Sequence, residues 1–275
     1  MPTEPLVPET IRRKTLGAVT ITHLRYAGGS GARVPACLLQ ADRSDGAGPA
    51  VILQHGANSS KDDFYIQAPA RRWAAEGWTV LAIDLAEHGE RVAAQPLDPM
   101  KRRRLIMDPS FVEQGVADLK RGVDLVTETS GVDPKRIAFV GFSLGGMLGT
   151  VFAARESRIR AVATAIAGSF AYTRYWERGE TEAERQRRRA AAEATDPAFF
   201  AAAIAPRPFL MVNTDDDPVF PRAAVLALFE AARDPKELRW HPGTHHQWGA
   251  TVYKDIWDFL KRNLDDGSRA EHQPL

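Results

Sequence analysis

The sequence predicts a three-layer α/β fold: a mostly parallel sheet with helices on both faces. Three observations predict it. Short, wholly apolar runs recur at Ala50-Val51-Ile52-Leu53 and at residues 79–83, 137–140, 161–166 and 209–212. Runs this short suit strands covered on both faces, as parallel sheets require. Amphipathic helical stretches lie between the runs, and alternation of strand and helix imposes parallel pairing with right-handed crossovers.

Composition bounds the class. Of 275 residues, 44% are hydrophobic and 26% charged. These values are those of a globular chain and exclude a disordered, collagen-like or disulfide-scaffold protein. A chain of this length is expected to fold as a single domain over residues 1–275 without a metal or disulfide staple. Thirty-six Lys and Arg against 35 Asp and Glu leave a net charge of +1. That balance gives no reason to expect nucleic acid or an anionic membrane as the main partner. The one cysteine, Cys37, excludes an internal disulfide and fits a reducing cytoplasm. The first residues show no basic start followed by an apolar stretch, and no apolar run approaches the ~18 residues of a membrane helix. The expectation is a soluble cytoplasmic enzyme-sized domain.

The elements follow in order. Residues 1–16 are Pro-rich and charged and are expected to lie over the surface. Residues 19–26 and 33–40 read as strands separated by Gly28-Gly29-Ser30-Gly31, an antiparallel hairpin. Ile66, Ala70, Trp73 and Ala74 share one helical face. Val112, Val116, Leu119, Val123 and Val126 share another, over a longer helix. Ser110 and Glu113 form a capping box for it, Pro109 stands just before, and Gly131 ends it. Tyr253, Ile256, Trp257 and Leu260 mark a final helix, with residues 265–275 a polar tail expected to fray. Two stretches interrupt the alternation. Residues 86–108 are long and charged, and residues 169–206 hold helices without a strand, where a lid-like insert fits.

The chemistry begins at Gly141-Phe142-Ser143-Leu144-Gly145-Gly146, which follows an apolar strand and opens an apolar helix. This is a G-x-S-x-G nucleophile elbow in the context it requires. The turn forces the serine into a strained backbone conformation, and a Cβ at 141 or 145 would collide with the neighbouring strand or helix. The hydroxyl then stands above the sheet edge, at a helix N-terminus that favours developing negative charge. Chance supplies roughly 0.06 such pentapeptides in a chain of this composition.

A serine hydroxyl needs a base, and the base needs an orienting carboxylate. Both follow in the chain order of this elbow. After the strand at 209–212 comes Asp215-Asp216-Asp217-Pro218-Val219-Phe220-Pro221. Asp217 is preferred as the acid, with Asp216 second. Next comes Trp240-His241-Pro242-Gly243-Thr244-His245-His246 before the last helix. His246 is preferred as the base, with His245 the alternative. The oxyanion hole needs two backbone N–H groups. Leu144, after the nucleophile, supplies one. Ala57, in the loop Gln54-His55-Gly56-Ala57-Asn58-Ser59-Ser60, supplies the other. His55 is read as shaping that loop through a hydrogen bond. His23, His88 and His272 are read as structural or exposed. Adjacent histidines suggest a metal site only if other spaced ligands complete it, and none is visible. No cofactor is expected.

These segments resemble the α/β-hydrolase superfamily, in its dienelactone hydrolase and prolyl-oligopeptidase-like branch. The likeness lies in His55-Gly56-Ala57-Asn58-Ser59-Ser60-Lys61, in Gly131-Val132-Asp133-Pro134-Lys135-Arg136-Ile137 leading to the elbow, in Asp217-Pro218-Val219-Phe220-Pro221, and in Pro242-Gly243-Thr244-His245-His246. It covers about residues 18–264. The resemblance implies an eight-stranded sheet, hydrolysis through an acyl-enzyme, and the last residue of the histidine loop as base. The expected substrate is a small-molecule carboxylic ester. Thioester or amide hydrolysis and acyl transfer use the same machinery. A catalytically silent hydrolase fold used for binding is the reading from a different class.

Specificity belongs to the loops. Tyr172, Tyr175, Trp176, Phe199, Phe200 and Trp248 either line an apolar pocket or glue the insert to the sheet. The basic runs 101–104 and 185–189 read as solvated faces, the second offset by Glu177, Glu180, Glu182 and Glu184.

Overall fold

Burial of the apolar runs fixes the architecture. The computed structural model describes residues 5–41, 46–92, 108–169 and 181–265. Nine strands form one mixed sheet: β1 (Glu9–Leu16), β2 (Val19–Ala27), β3 (Arg33–Ala41), β4 (Gly48–Gln54), β5 (Thr79–Ile83), β6 (Val132–Phe142), β7 (Ile159–Ala165), β8 (Phe209–Thr214) and β9 (Lys236–His241). Their order is β1-β2-β3-β5-β4-β6-β7-β8-β9. Neighbours from β5 onward pair in parallel, and β1, β2 and β3 form an antiparallel flank. Every residue of β4, β5 and β8 is buried, which is why those strands carry no polar alternation.

Six helices cover the sheet among the described residues: α1 (Phe64–Ala75), α2 (Pro109–Glu128), α3 (Leu144–Ala154), α4 (Glu182–Thr195), α5 (Arg222–Ala231) and α6 (Ala250–Leu264). Two apolar clusters result, one on each face. Phe111, Leu119, Val126, Leu148, Phe152 and Leu228 bring α2, α3 and α5 onto one face, and Ile66, Trp73, Ile256 and Leu260 bring α1 and α6 onto the other. This is the expected three-layer fold.

The sheet has nine strands where eight are expected. The additional strand is β1, in the segment expected to lie as surface chain. All eight of its residues are exposed, so it is held through the backbone ladder to β2, and no apolar run announces it. The start of α2 also differs. Asp108, not Ser110, is the cap: its carboxylate accepts Ser110 N at 2.8 Å and the Ser110 hydroxyl at 2.6 Å. Pro109, with φ pre-set for a helix, takes the first helical position, and the cap falls two residues earlier than expected. Glu113 pairs instead with Arg155.

The described part of the insert is α4 followed by short turns at Pro197–Phe199 and Ala201–Ala203, packed on the α2, α3 and α5 face. The buried Ser169 hydroxyl donates to Asp196 Oδ2 at 2.9 Å, which ties the start of the insert to the residue that follows α4. Thr181 and Glu184 form a reciprocal capping box on α4. Arg185 pairs with Glu182 and Arg189 with Glu193 along the exposed helix, consistent with a solvated face. Phe200 packs against the core under the Arg155 guanidinium, 4.8 Å from the ring centre, whereas Phe199 is exposed. Tyr172, Tyr175, Trp176, Glu177, Glu180, the run 101–104, His272 and the tail from 266 lie outside the described residues.

Candidate active site

The sheet's carboxyl edge gathers loops from β4, β6, β8 and β9. At the end of β6 the chain turns sharply into α3, and Ser143 sits in the turn with φ 51° and ψ −118°. Such a conformation is strained for a residue with a side chain and persists only where the surroundings hold it. Here Ser143 N donates to Ala165 O at 2.9 Å, and Ser143 O receives Met147 N at 3.0 Å. The glycines give the room. A Cβ on Gly141 would strike the Gly145 carbonyl, and one on Gly145 would lie 2.5 Å from His55 O.

The acid loop leaves β8 and folds back on the histidine loop through Asp215 N to His241 O at 3.0 Å and Asp216 N to Gly243 O at 3.1 Å. Asp215 and Asp216 are exposed, while Asp217 turns inward and is buried. Asp217 Oδ1 accepts Val219 N at 2.7 Å and Phe220 N at 2.9 Å. Its Oδ2 faces His245 Nδ1 at 2.8 Å, and His245 Nε2 faces Ser143 Oγ at 2.8 Å. The carboxylate can only accept, so Nδ1 carries the proton. Nε2 of the neutral ring is then the acceptor for the serine hydroxyl. The structure thus brings Ser143, His245 and Asp217 into one hydrogen-bond chain.

The histidine in that chain is His245 and not the preferred His246, which is a correction. The two histidines are the tip of a two-residue hairpin, between β10 (Gly243–Thr244) and β11 (Gln247–Trp248). Successive side chains at such a tip diverge. His245 is buried against Phe220, with ring centres 5.7 Å apart. His246 is exposed, its ring at 88° to that of His245. A dipeptide of identical residues offers a sequence reading no asymmetry, and only the hairpin register decides between them.

The loop after β4 runs directly against the serine: a methyl group on Gly56 would lie 3.1 Å from Ser143 Cβ. Gly56 N is taken by the Tyr65 hydroxyl at 2.8 Å, leaving Ala57 as the next backbone donor in the loop. Leu144 N lies in the first turn of α3, where the aligned peptide dipoles favour an anion. His55 is fully buried. Its Nδ1 donates to Gly56 O at 2.7 Å, and its Nε2 accepts Leu85 N at 3.2 Å. The ring therefore shapes the loop. Burial, reinforced by the neighbouring His88, lowers its pKa from 6.5 to about 4, against the pull of the Gly56 carbonyl.

Lys61 continues the loop, and the sequence assigns it no role of its own. It is 1% exposed, with Nζ 3.0 Å from Asp84 Oδ2, 2.9 Å from Asp62 Oδ2 and 2.6 Å from Glu90 Oε1. Burial opposes its charge, but Glu90 and Asp84 outweigh it and hold the ammonium well above its ordinary pKa. Asp84 also accepts Lys61 N and Glu90 N, so a buried ion pair fixes the far end of the loop.

One group of metal-ligating types lies together among the described residues. His23, Cys37 and Asp62 each offer a ligand atom within 4.8 Å of the others. Each of the three residues also has surroundings of its own. Arg12 donates to His23 Nε2 at 3.0 Å, Lys61 holds Asp62, and burial pushes the Cys37 thiol up to about 11. None of the three belongs to the serine's hydrogen-bond chain. No helix among the described residues is long and apolar enough to cross a membrane.

Comparison with known proteins defines the class. The fold recurs in an acetyl xylan esterase from Paenibacillus sp. R4, with a TM-score of 0.77 at 22% identity, covering 95% of this chain and 90% of that one. Acetyl xylan esterase 1 from Thermoanaerobacterium sp. gives 0.78 at 22% identity, covering 94% and 88%. A cold-adapted esterase from an Arctic intertidal metagenomic library gives 0.73 at 20% identity, covering 94% and 99%. No curated protein sequence matches the chain. The fold is that of the α/β hydrolases. Residues 11–263 match the model of the family described as acetyl xylan esterase (AXE1), and the chain belongs to that family. It is a hydrolase of carboxylic esters.

The depressed pKa of His55 links stability to pH. Below 6.5 the unfolded chain takes up a proton that the folded ring refuses until about 4. Stability from this group is therefore complete above 6.5 and falls as pH drops through that window, by ~3 kcal/mol in all. Thermal unfolding followed from pH 7 to pH 4 should show this loss, and His55→Gln should flatten the slope.

Proposed function

We propose that the chain removes small acyl groups, acetyl foremost, from esters of carbohydrate alcohols, by way of an acyl-enzyme formed on Ser143. The observation that carries the mechanism is the unbroken chain Ser143 Oγ–His245–Asp217, with both links at 2.8 Å. The acetyl-carbohydrate substrate rests on the family description.

His245 Nε2 takes the serine proton as Oγ attacks the ester carbonyl. The tetrahedral oxyanion is received by the N–H groups of Ala57 and Leu144. Asp217 holds the proton on Nδ1 and stabilises the imidazolium that forms. Its second oxygen is bound by two backbone N–H groups, which hold the carboxylate in place. The imidazolium then protonates the departing alcohol. Water, activated by the same ring, attacks the acyl-serine, and collapse of the second tetrahedral species frees the acid and restores the hydroxyl.

Ser143→Ala should lower kcat by about 10⁴-fold or more. A fluorophosphonate probe should add its mass at Ser143 in the natural chain and nowhere in the variant, as read by peptide mass spectrometry. His245→Ala should fall to the same low level while His246→Ala stays close to the natural enzyme; the reverse pattern would restore His246 as the base. Across p-nitrophenyl esters, kcat/KM should be highest for acetate and fall with acyl length, and acetylated xylo-oligosaccharides should release acetate. A preference for long acyl chains would overturn the acetyl assignment.

A further inference from the structure

One side chain touches the oxyanion loop, the nucleophile strand and the histidine hairpin at once. Tyr65, in the first turn of α1, accepts Gly56 N on its hydroxyl oxygen at 2.8 Å and donates to Ser59 Oγ at 2.8 Å. Ser59 Oγ donates in turn to Asp63 Oδ2 at 2.5 Å. Each link has one polarity, because the amide can only donate and the carboxylate can only accept. The bonds therefore run in one direction from Gly56 to Asp63 and polarise one another. The phenol ring meets Phe142, the residue before Ser143, edge-on at 5.5 Å, and Trp248 edge-on at 5.8 Å. Its backbone carbonyl accepts the Tyr253 hydroxyl at 3.3 Å, which secures the base of the side chain to α6.

The consequence lies in the peptide planes on either side of Gly56. The plane before it is held through its N–H by Tyr65. The plane after it is held through Gly56 O by His55 Nδ1 at 2.7 Å. In a trans peptide the N–H points opposite the C=O, so the Ala57 N–H points away from His55. Gly56 has no side chain of its own to fix its backbone. Two outside grips are therefore what removes its freedom, and Tyr65 supplies the one that the loop itself does not contain.

We infer that Tyr65 is a positioning residue for the oxyanion donor: by holding Gly56, its hydroxyl fixes the direction of the Ala57 N–H toward the ester oxygen. The inference rests on the serine-esterase reading above. Tyr65 touches no reacting atom and acts through Gly56 alone.

Tyr65→Phe removes the hydroxyl and keeps the ring. Turnover per active site, with sites counted by fluorophosphonate titration, should drop about 10- to 100-fold for an acetyl ester while KM stays within about twofold. Affinity for a trifluoromethyl ketone, whose adduct with the serine carries an oxyanion, should weaken by the same factor. A tyrosine that only stabilises the fold would lower Tm and the number of titratable sites and leave turnover per site intact. That result, with unchanged ketone affinity, would overturn the inference. Should the phenylalanine variant not fold, Ser59→Ala carries the test. It takes away the phenol's acceptor and leaves all packing, and an unchanged turnover per site in it would also overturn the inference. Full turnover in Ser143→Ala would overturn the esterase reading and this inference together. A silent Ser143→Ala beside a fully active Tyr65→Phe overturns the Tyr65 role alone.

Discussion

The site depends on a backbone that is out of its comfortable range. Ser143 is held at φ 51° at the junction of a strand buried over Ile137–Phe142 and a buried helix. The strain is carried by the packing on both sides: β6 lies at the centre of the sheet, between β4 and β7, and α3 is buried along almost its whole length. Because no side chain fits at 141 or 145, strand and helix approach closely enough to leave the serine at the crest. A looser junction would let the turn relax and would withdraw the hydroxyl from His245 and from the loop after β4.

Around that crest, the other groups are placed by loops that fasten to one another rather than to the sheet alone. The acid loop is tied to the histidine hairpin by Asp215 N and Asp216 N, and Asp217 is anchored by the backbone of Val219 and Phe220. The loop after β4 is fixed at one end by the neutral His55 and at the other by the buried Lys61–Asp84 pair. Tyr65 joins it to the aromatic group of Phe142, Trp248 and Tyr253. Preorganisation of this kind is what lets backbone dipoles stabilise an oxyanion without reorganising during the reaction.

The same features mark where electrostatics is local. A net charge of +1 gives the chain almost no net monopole. Charge matters instead where it is buried. Lys61 is compensated by three carboxylates, and the Asp118 carboxylate by Arg91 and by backbone and side-chain N–H groups. His55 escapes the cost of a buried charge by staying neutral.

The sequence alone determined the layers, the parallel core and the elbow, because each has a local cause. Strands buried on both faces must be apolar through their middle, as β4, β5 and β8 are with polar residues only at their ends, and a serine on a turn this tight must stand between glycines. It also carried the chain order in which Ser143, the aspartate run and the histidine pair follow one another. The tertiary structure decided what local pattern leaves degenerate. β1 pairs through its backbone and therefore has no hydrophobic signature. His245 and His246 are the same residue type, separated only by which of them the hairpin turns inward. Lys61 and Tyr65 look like a surface charge and an ordinary aromatic until residues distant in the chain, Asp84 and Glu90 for the one, Phe142 and Trp248 for the other, fold onto them. Such roles arise from contacts between separate elements, and those contacts exist only once the chain has closed on itself.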